Sequence, residues 1–255
     1  MSAKKETLGS TVGIVVAVCL VCSIVVSSSA VGLRSLQKTN AELDKKSNIL
    51  TAAGLIQLAK TKQEIGEIFN SRVEEKYVEL ATGTYVEKPS AGYDMYKAAK
   101  DPQYMVRVEG TNVGFQTRAS IVAVYHVKSE DGAIDRIILP VHGSGLWDLM
   151  YGFLALDSDG TTIKELIYYQ HKETPGLGAE ILNPAWQAKW QGKQLFGANG
   201  EVKISVDKNV APDNQYAVDA LSGATLTSNG VENTLQYWAS ENGFGHYLKN
   251  QSWKS

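Results

Sequence analysis

The amino-acid sequence predicts an α+β protein: a single N-terminal transmembrane helix followed by one domain with a twisted, mainly antiparallel sheet and flanking helices. Three observations carry that prediction. No residue between Glu6 and Arg34 is charged, strand-like segments separated by short turns fill Tyr104 to Gln170, and amphipathic helical patterns lie on either side of that block. Residues 1–34 are expected to form the anchor, 35–100 juxtamembrane and amphipathic helices, and 101–255 the main domain, continuous with those helices.

Val12 to Leu33 reads VGIVVAVCLVCSIVVSSSAVGL, long enough to cross a hydrocarbon layer of ~30 Å. Lys4 and Lys5 ahead of it and the small residues Ser28-Ser29-Ala30 also suit a secretory signal. A retained single-pass anchor is the expectation. Lys4 and Lys5 favour a cytoplasmic N-terminus, but Arg34, Lys38, Lys45 and Lys46 place more positive charge on the other flank, so charge leaves sidedness open. Leu36, Leu43 and Leu50 recur at heptad spacing among polar residues, predicting a juxtamembrane helix with a narrow apolar seam. Thr61-Lys-Gln-Glu64 fits a capping box, and Ile65, Ile68, Phe69, Val73 and Tyr77 follow at helical spacing, predicting a helix to about Leu80. Strands are expected at Tyr104–Glu109, Ser120–Lys128, Ile134–Val141, Gly152–Asp157 and Ile163–Gln170. Turns such as Glu130-Asp-Gly132 and Asp157-Ser-Asp-Gly160 between them favour antiparallel hairpins. A helix after Glu180 carries Trp186 and Trp190 on one side, a strand runs near Val202 to Val206, and the last helix carries Val231, Leu235 and Trp238.

Composition narrows function. Among 255 residues, 25 Lys+Arg face 27 Asp+Glu, a net charge of −2, so no basic excess exists to neutralise a run of phosphates and nucleic-acid binding is set aside. Cys19 and Cys22 are flanked by Val, Leu and Ile inside the apolar stretch. That setting suits lipid-embedded residues better than thiolate chemistry, although two thiols on one helix face leave contact with a partner's redox centre or metal open. The sequence contains no P-loop, zincin, nucleophile-elbow or dinucleotide-binding spacing. His126, His142, His171 and His246 lack metal-ligand spacing and read as surface or satisfied loop residues. We assign no catalytic and no metal-binding residue. Asn250-Gln-Ser252 matches a glycosylation acceptor, a three-residue pattern that carries little.

Three glycine-rich segments stand where strands are expected to end: His142-Gly-Ser-Gly-Leu-Trp147, Glu173-Thr-Pro-Gly-Leu-Gly-Ala-Glu180 and Asp219-Ala-Leu-Ser-Gly-Ala-Thr-Leu-Thr-Ser228. Glycines let a backbone approach a planar ligand closely, and Leu146, Trp147 and Leu177 supply apolar surface for its faces. Plain turns, with Trp147 in the core, are the alternative. In the third segment Ser222, Thr225, Thr227 and Ser228 surround an expected helix start. Unsatisfied N–H groups and the positive end of the helix dipole favour a phosphate there, and a hydroxyl in that place can be esterified by it. Ordinary helix capping is the alternative.

Ser222-Gly-Ala-Thr-Leu-Thr-Ser228 preceded by Asp219, with Glu173-Thr-Pro-Gly-Leu-Gly178 and Gly145-Leu-Trp147 upstream, resembles the FMN-binding domain of bacterial respiratory complexes. The resemblance extends over nearly the whole chain, most strongly from Val141 to Ser228, and is to the C-subunit family of the Na+-translocating NADH:quinone oxidoreductase. The G-subunit of the Rnf electron-transport complex shares the signature and stays as an alternative. The resemblance implies one flavodomain after the anchor, with FMN joined through its phosphate to Thr225 by a phosphoester bond. On that resemblance Leu146, Trp147, Thr174 and Leu177 are the candidates for ring contacts and Ser222, Gly223 and Thr227 for the phosphate end, with Ser144, Gly145, Glu173, Gly176, Gly178 and Ala224 completing the expected cofactor-binding residues. It further implies a component of NADH:ubiquinone reductase (Na+-transporting) in the bacterial inner membrane, with the flavodomain in the periplasm. The chain would be an electron carrier and not the NADH-oxidising site, with the sodium pathway in other subunits. Its partners would be membrane subunits holding an iron–sulfur centre as donor and a flavin as acceptor, and a Mg-dependent flavin transferase during maturation. A cofactor-free anchored extracytoplasmic binding domain and a free flavin reductase are the competing readings.

Overall fold

The computed structural model describes residues 8–254; Lys4 and Lys5, whose charge bears on sidedness, lie outside them. The chain divides into two units, Met1–Lys45 and Lys46–Ser255. Helix α1 (Leu8–Ala52) makes up the described part of the first unit and ends within the second; along the first it presents Val12, Ile14, Leu20, Ile24 and Val31 with no protein cover. It is long and apolar enough to span a bilayer and fits a single-pass anchor. The expected separate juxtamembrane helix is the continuation of α1, because neither Gly nor Pro interrupts Arg34 to Ala52. Along the heptad seam Leu36 is exposed, Leu43 half-buried and Leu50 buried. The helix stops at Gly54, whose φ of 68° lets the Leu55 N–H reach back to the Leu50 carbonyl at 2.8 Å.

In the second unit α2 (Lys62–Arg72) starts at Thr61, whose hydroxyl accepts the Glu64 N–H at 3.2 Å while the Glu64 carboxylate accepts the Lys60 N–H at 2.6 Å. The capping box is as expected, but the helix ends early. Val73–Glu79 is strand β1, buried at Val73, Tyr77 and Val78. Residues four apart share a face in both a helix and a strand, so Val73 and Tyr77 satisfied either pattern.

Strands β2 (Thr84–Val86), β5 (Ile121–Lys128), β6 (Ile134–Ser144), β7 (Leu149–Asp157) and β8 (Ile163–Gln170) join β1 in a six-stranded sheet ordered β2-β1-β5-β6-β7-β8, antiparallel throughout. Between β2 and β5 come the short helix α3 (Met95–Ala98) and the antiparallel pair β3 (Met105–Arg107) and β4 (Thr117–Ala119). After β8 the expected tryptophan helix is two short pieces, α4 (Pro184–Gln187) and a 3-10 turn Ala188–Trp190, which bury Trp186 and Trp190 edge to face. Strands β9 (Ser205–Asp207) and β10 (Ala217–Asp219) pair in parallel, and helices α5 (Thr225–Ala239) and α6 (Gly245–Asn250) and a 3-10 turn Ser252–Lys254 follow.

One sheet face packs Ile49, Leu50, Ala52 and Ala53 with α2; the other receives Leu139, Val141, Met150 and Leu154 beneath Val231, Leu235 and Trp238 of α5. Helix α5 meets β6 backbone to backbone. A Cβ on Gly230 would lie 2.1 Å from the Ser144 carbonyl oxygen, and one on Gly143 would lie 2.0 Å from Thr234 Oγ1. The Trp238 indole N–H donates to the His142 carbonyl at 2.7 Å.

Two of the four histidines differ from expectation. His126 and His142 are buried on β5 and β6, because their rings are amphipathic and here pack as aromatics. His142 lies among Tyr96, Phe115, Tyr151 and Trp238, while His126 Nε2 bonds Tyr247 Oη at 2.8 Å. Desolvation lowers each from the ordinary 6.5 to about 4.

Because α5 and β6 touch through glycine, Gly230→Ala should cost about 1–3 kcal/mol of unfolding free energy, the usual scale of overpacking, as read by urea titration. Gly66→Ala on α2, with open space around its Cα, should cost nothing. The buried imidazoles make stability depend on pH. As pH falls from 6.5 toward 4, the unfolded chain takes up protons that the folded imidazoles refuse, so stability present above 6.5 is lost across that window. His142→Phe should make the acid decline shallower by about one proton in the slope of unfolding free energy against pH.

Candidate functional site

Each glycine-rich segment is a tight turn at a strand end. The β6–β7 hairpin closes through the Gly145 N–H to the Asp148 carbonyl at 2.8 Å, leaving Leu146 and Trp147 at its tip. Thr174-Pro-Gly-Leu177 closes through the Leu177 N–H to the Thr174 carbonyl at 3.1 Å, with Gly176 at φ 76°, as a type II turn requires at its third residue. Leu221-Ser-Gly-Ala224 closes at 3.2 Å with Gly223 at φ 71° and runs into α5.

Glu173 joins the three. The residue is 4% exposed. Oε1 accepts the Leu146 N–H at 3.0 Å and the Trp147 N–H at 3.1 Å, and Oε2 accepts the Thr227 hydroxyl from α5. The Glu173 N–H donates to His171 Nδ1 at 3.1 Å. Gly145 and Gly178 allow this convergence, since a Cβ on either would lie 2.5 Å or less from a Glu173 oxygen.

Thr225 is the first residue of α5 and is exposed. Ala224 ahead of it supplies no side-chain cap, and the first helical bond is Ser228 N–H to Ala224 carbonyl at 3.0 Å. The N–H groups of Thr225, Leu226 and Thr227 therefore have no acceptor within the helix. Ser222 and Gly223 are exposed beside them. Ser228 turns inward, its Oγ accepting the Leu221 N–H at 3.0 Å, and Thr227 is buried on Glu173. Of the phosphate-end residues, Ser222 and Thr225 thus present side chains outward, while Thr227 offers only its backbone.

The flanking apolar surface is exposed: Leu146 at 49%, Leu177 at 46% and Trp147 at 66%. The Trp147 ring is nonetheless held, its indole N–H donating to Thr174 Oγ1 at 3.1 Å. A flat, exposed and oriented indole beside a bare helix N-terminus suits a ligand that is planar and apolar at one end and anionic at the other. Ser144 is half-buried, its N–H donating to the Val113 carbonyl at 2.8 Å. Asp219, ahead of the turn, accepts the Val210 N–H at 2.9 Å and Lys189 Nζ at 3.0 Å, which hold its carboxyl below the usual range.

Sequence reasoning missed two contributors. Leu226, 60% exposed next to Thr225, adds apolar surface, and an apolar residue among first-turn hydroxyls was the available signal. Val113-Gly114 backs Ser144, a tertiary contact without a local signature. No group of three or more His, Cys, Asp or Glu suited to a metal occurs among the described residues.

These features define a flavin-site class of domain: residues 145–240 match the FMN-binding domain family. Over 96% of its length the chain is 44% identical to the C-subunit of Na(+)-translocating NADH-quinone reductase from Yersinia pestis, covering 93% of that protein. It is 46% identical to the corresponding protein of Vibrio vulnificus over 96% of each chain. The crystal structure of Shewanella oneidensis NqrC superposes with a TM-score of 0.77 at 30% identity, over 84% of this chain and 98% of that one. The chain belongs to the NqrC family, the C-subunits of Na+-translocating NADH-quinone reductases.

Proposed function

We propose that this chain is the membrane-anchored electron-transfer subunit of a Na+-translocating NADH:quinone oxidoreductase, carrying FMN esterified through its phosphate to Thr225. The observation that carries the reading is the exposed Thr225 hydroxyl on a helix turn with no side-chain cap, next to exposed Trp147, Leu146 and Leu177. The fit to FMN is chemical at both ends. Free N–H groups and the α5 dipole favour the phosphate, and apolar side chains suit a flat ring.

Bound FMN supplies a ring that accepts and releases one or two electrons. This chain's own residues hold and orient it. Thr225 Oγ1 is the point of attachment, Ser222 and Gly223 line the approach to the N–H groups of the first helical turn, and Trp147, pinned by Thr174, offers one face. Because the ester lies at the far end of the molecule from the ring, retention and redox tuning are separate tasks.

Partners follow from the same reading. The flavodomain is periplasmic, a Mg-dependent flavin transferase makes the bond there, and neighbouring membrane subunits supply an iron–sulfur centre as donor and a flavin as acceptor. NADH is oxidised elsewhere in the complex, and sodium moves through other subunits. The names of the family's members support a place in a multi-subunit Na+-translocating NADH-quinone reductase, and the apolar helix supports a membrane anchor.

Two outcomes test the proposal. Full-length protein made with the transferase should fluoresce in a denaturing gel under ultraviolet light, and Thr225→Ala should be dark. A dark wild-type band would overturn the covalent attachment and with it the electron-carrier reading. Trp147→Ala should keep the fluorescent band while shifting the flavin midpoint potential in a spectroelectrochemical titration; an unchanged potential would remove Trp147 from the ring environment.

A further inference from the structure

We infer that Glu173 is a positioning residue whose buried charge, acting through the backbone of Leu146 and Trp147 and through Thr227, holds the flavin's reduction potential low. This rests on the FMN reading above. Three observations lead to it. First, the carboxylate accepts three hydrogen bonds at the site, from the Leu146 and Trp147 N–H groups of the hairpin and from the Thr227 hydroxyl of the attachment helix. Second, Glu173 as a residue is 4% exposed, and none of the ion pairs among the described residues includes it. Its neighbour Lys172 is turned to Asp148 at 2.5 Å. Third, glycines at 145 and 178 keep that place clear, since any Cβ there would collide with the carboxylate.

The physical consequence is electrostatic. A charge removed from water and without a cationic partner is weakly screened. Its hydrogen bonds occupy the N–H groups of Leu146 and Trp147, so those donors face the carboxylate and are withheld from the ring side. Adding electrons to a nearby ring raises the negative charge there unless protons follow in equal number. A fixed anion behind the hairpin therefore disfavours the reduced form and lowers the potential at which electrons are accepted from a donor. The carboxylate itself undergoes no bond change.

Glu173→Gln separates charge from shape. The amide oxygen still accepts the Leu146 and Trp147 N–H groups, and the amide nitrogen donates to Thr227 Oγ1, whose hydrogen turns away. The test is a dithionite and ferricyanide titration of the full-length chain, made with the flavin transferase, following flavin absorbance. Only flavin-bearing molecules are read, whatever their share. Glu173→Gln should carry flavin in the gel and titrate at a higher potential than wild type. Glu173→Ala, which also strands two N–H donors, should lower the fraction of chain that carries flavin.

An unchanged potential in loaded Glu173→Gln overturns the inference, as does complete loss of flavin from that variant, which would make the carboxylate an attachment determinant instead. Wild-type protein without flavin would sink the FMN reading itself, a separate result. Glu173→Asp, which keeps the charge, should titrate closer to wild type than Glu173→Gln; the reverse order would assign the effect to side-chain shape.

Discussion

Helix α5 begins at Thr225 with Ala224 ahead of it, and alanine has nothing with which to satisfy the N–H groups of the first turn. A helix end of that kind is stable in water or against an anion, so its surroundings decide its use. Here its position is fixed from below. Gly230 lies against the Ser144 carbonyl, Gly143 against Thr234, and the Trp238 indole N–H reaches the His142 carbonyl. These contacts place the bare turn beside the tip of the β6–β7 hairpin, and the ligand-facing arrangement depends on that docking.

Polar side chains around the site divide into two groups. Thr227, Ser228 and Glu173 face inward and hold loops to one another. Ser222, Thr225 and Thr174 lie on the outer side, where Ser222 and Thr225 are open to chemistry or a ligand and Thr174 holds the exposed indole. Neighbouring hydroxyls in one short motif thus do different work, and the helical rotation between Thr225 and Thr227 separates attachment from support. Trp147 combines both characters: its ring is exposed, yet its N–H is anchored on Thr174. That combination gives an apolar surface a fixed orientation before anything binds.

Much of this could be read in the sequence, and the failures have physical causes. The strands from Ile121 to Gln170 were legible because alternation and short polar turns are local signals. The helix expected to reach Leu80 ended at Arg72, since Val73 and Tyr77 fit both periods and only pairing with β5 selects the strand. His126 and His142 read as surface or satisfied loop residues because burial of an imidazole among aromatics is set by tertiary packing. The three glycine segments were recognisable one by one. Their meeting on Glu173 was not, since a carboxylate in a turn sequence gives no sign that it will be buried against a hydroxyl 54 residues away.

Peptide mass spectrometry of the full-length protein, matured with the flavin transferase and digested, examines the attachment most directly. The account predicts that the peptide containing Thr225 carries the added mass of FMN less water, with fragment ions placing it on that threonine and leaving Ser222, Thr227 and Ser228 unmodified. An unmodified peptide, or the same mass on another residue, would contradict it.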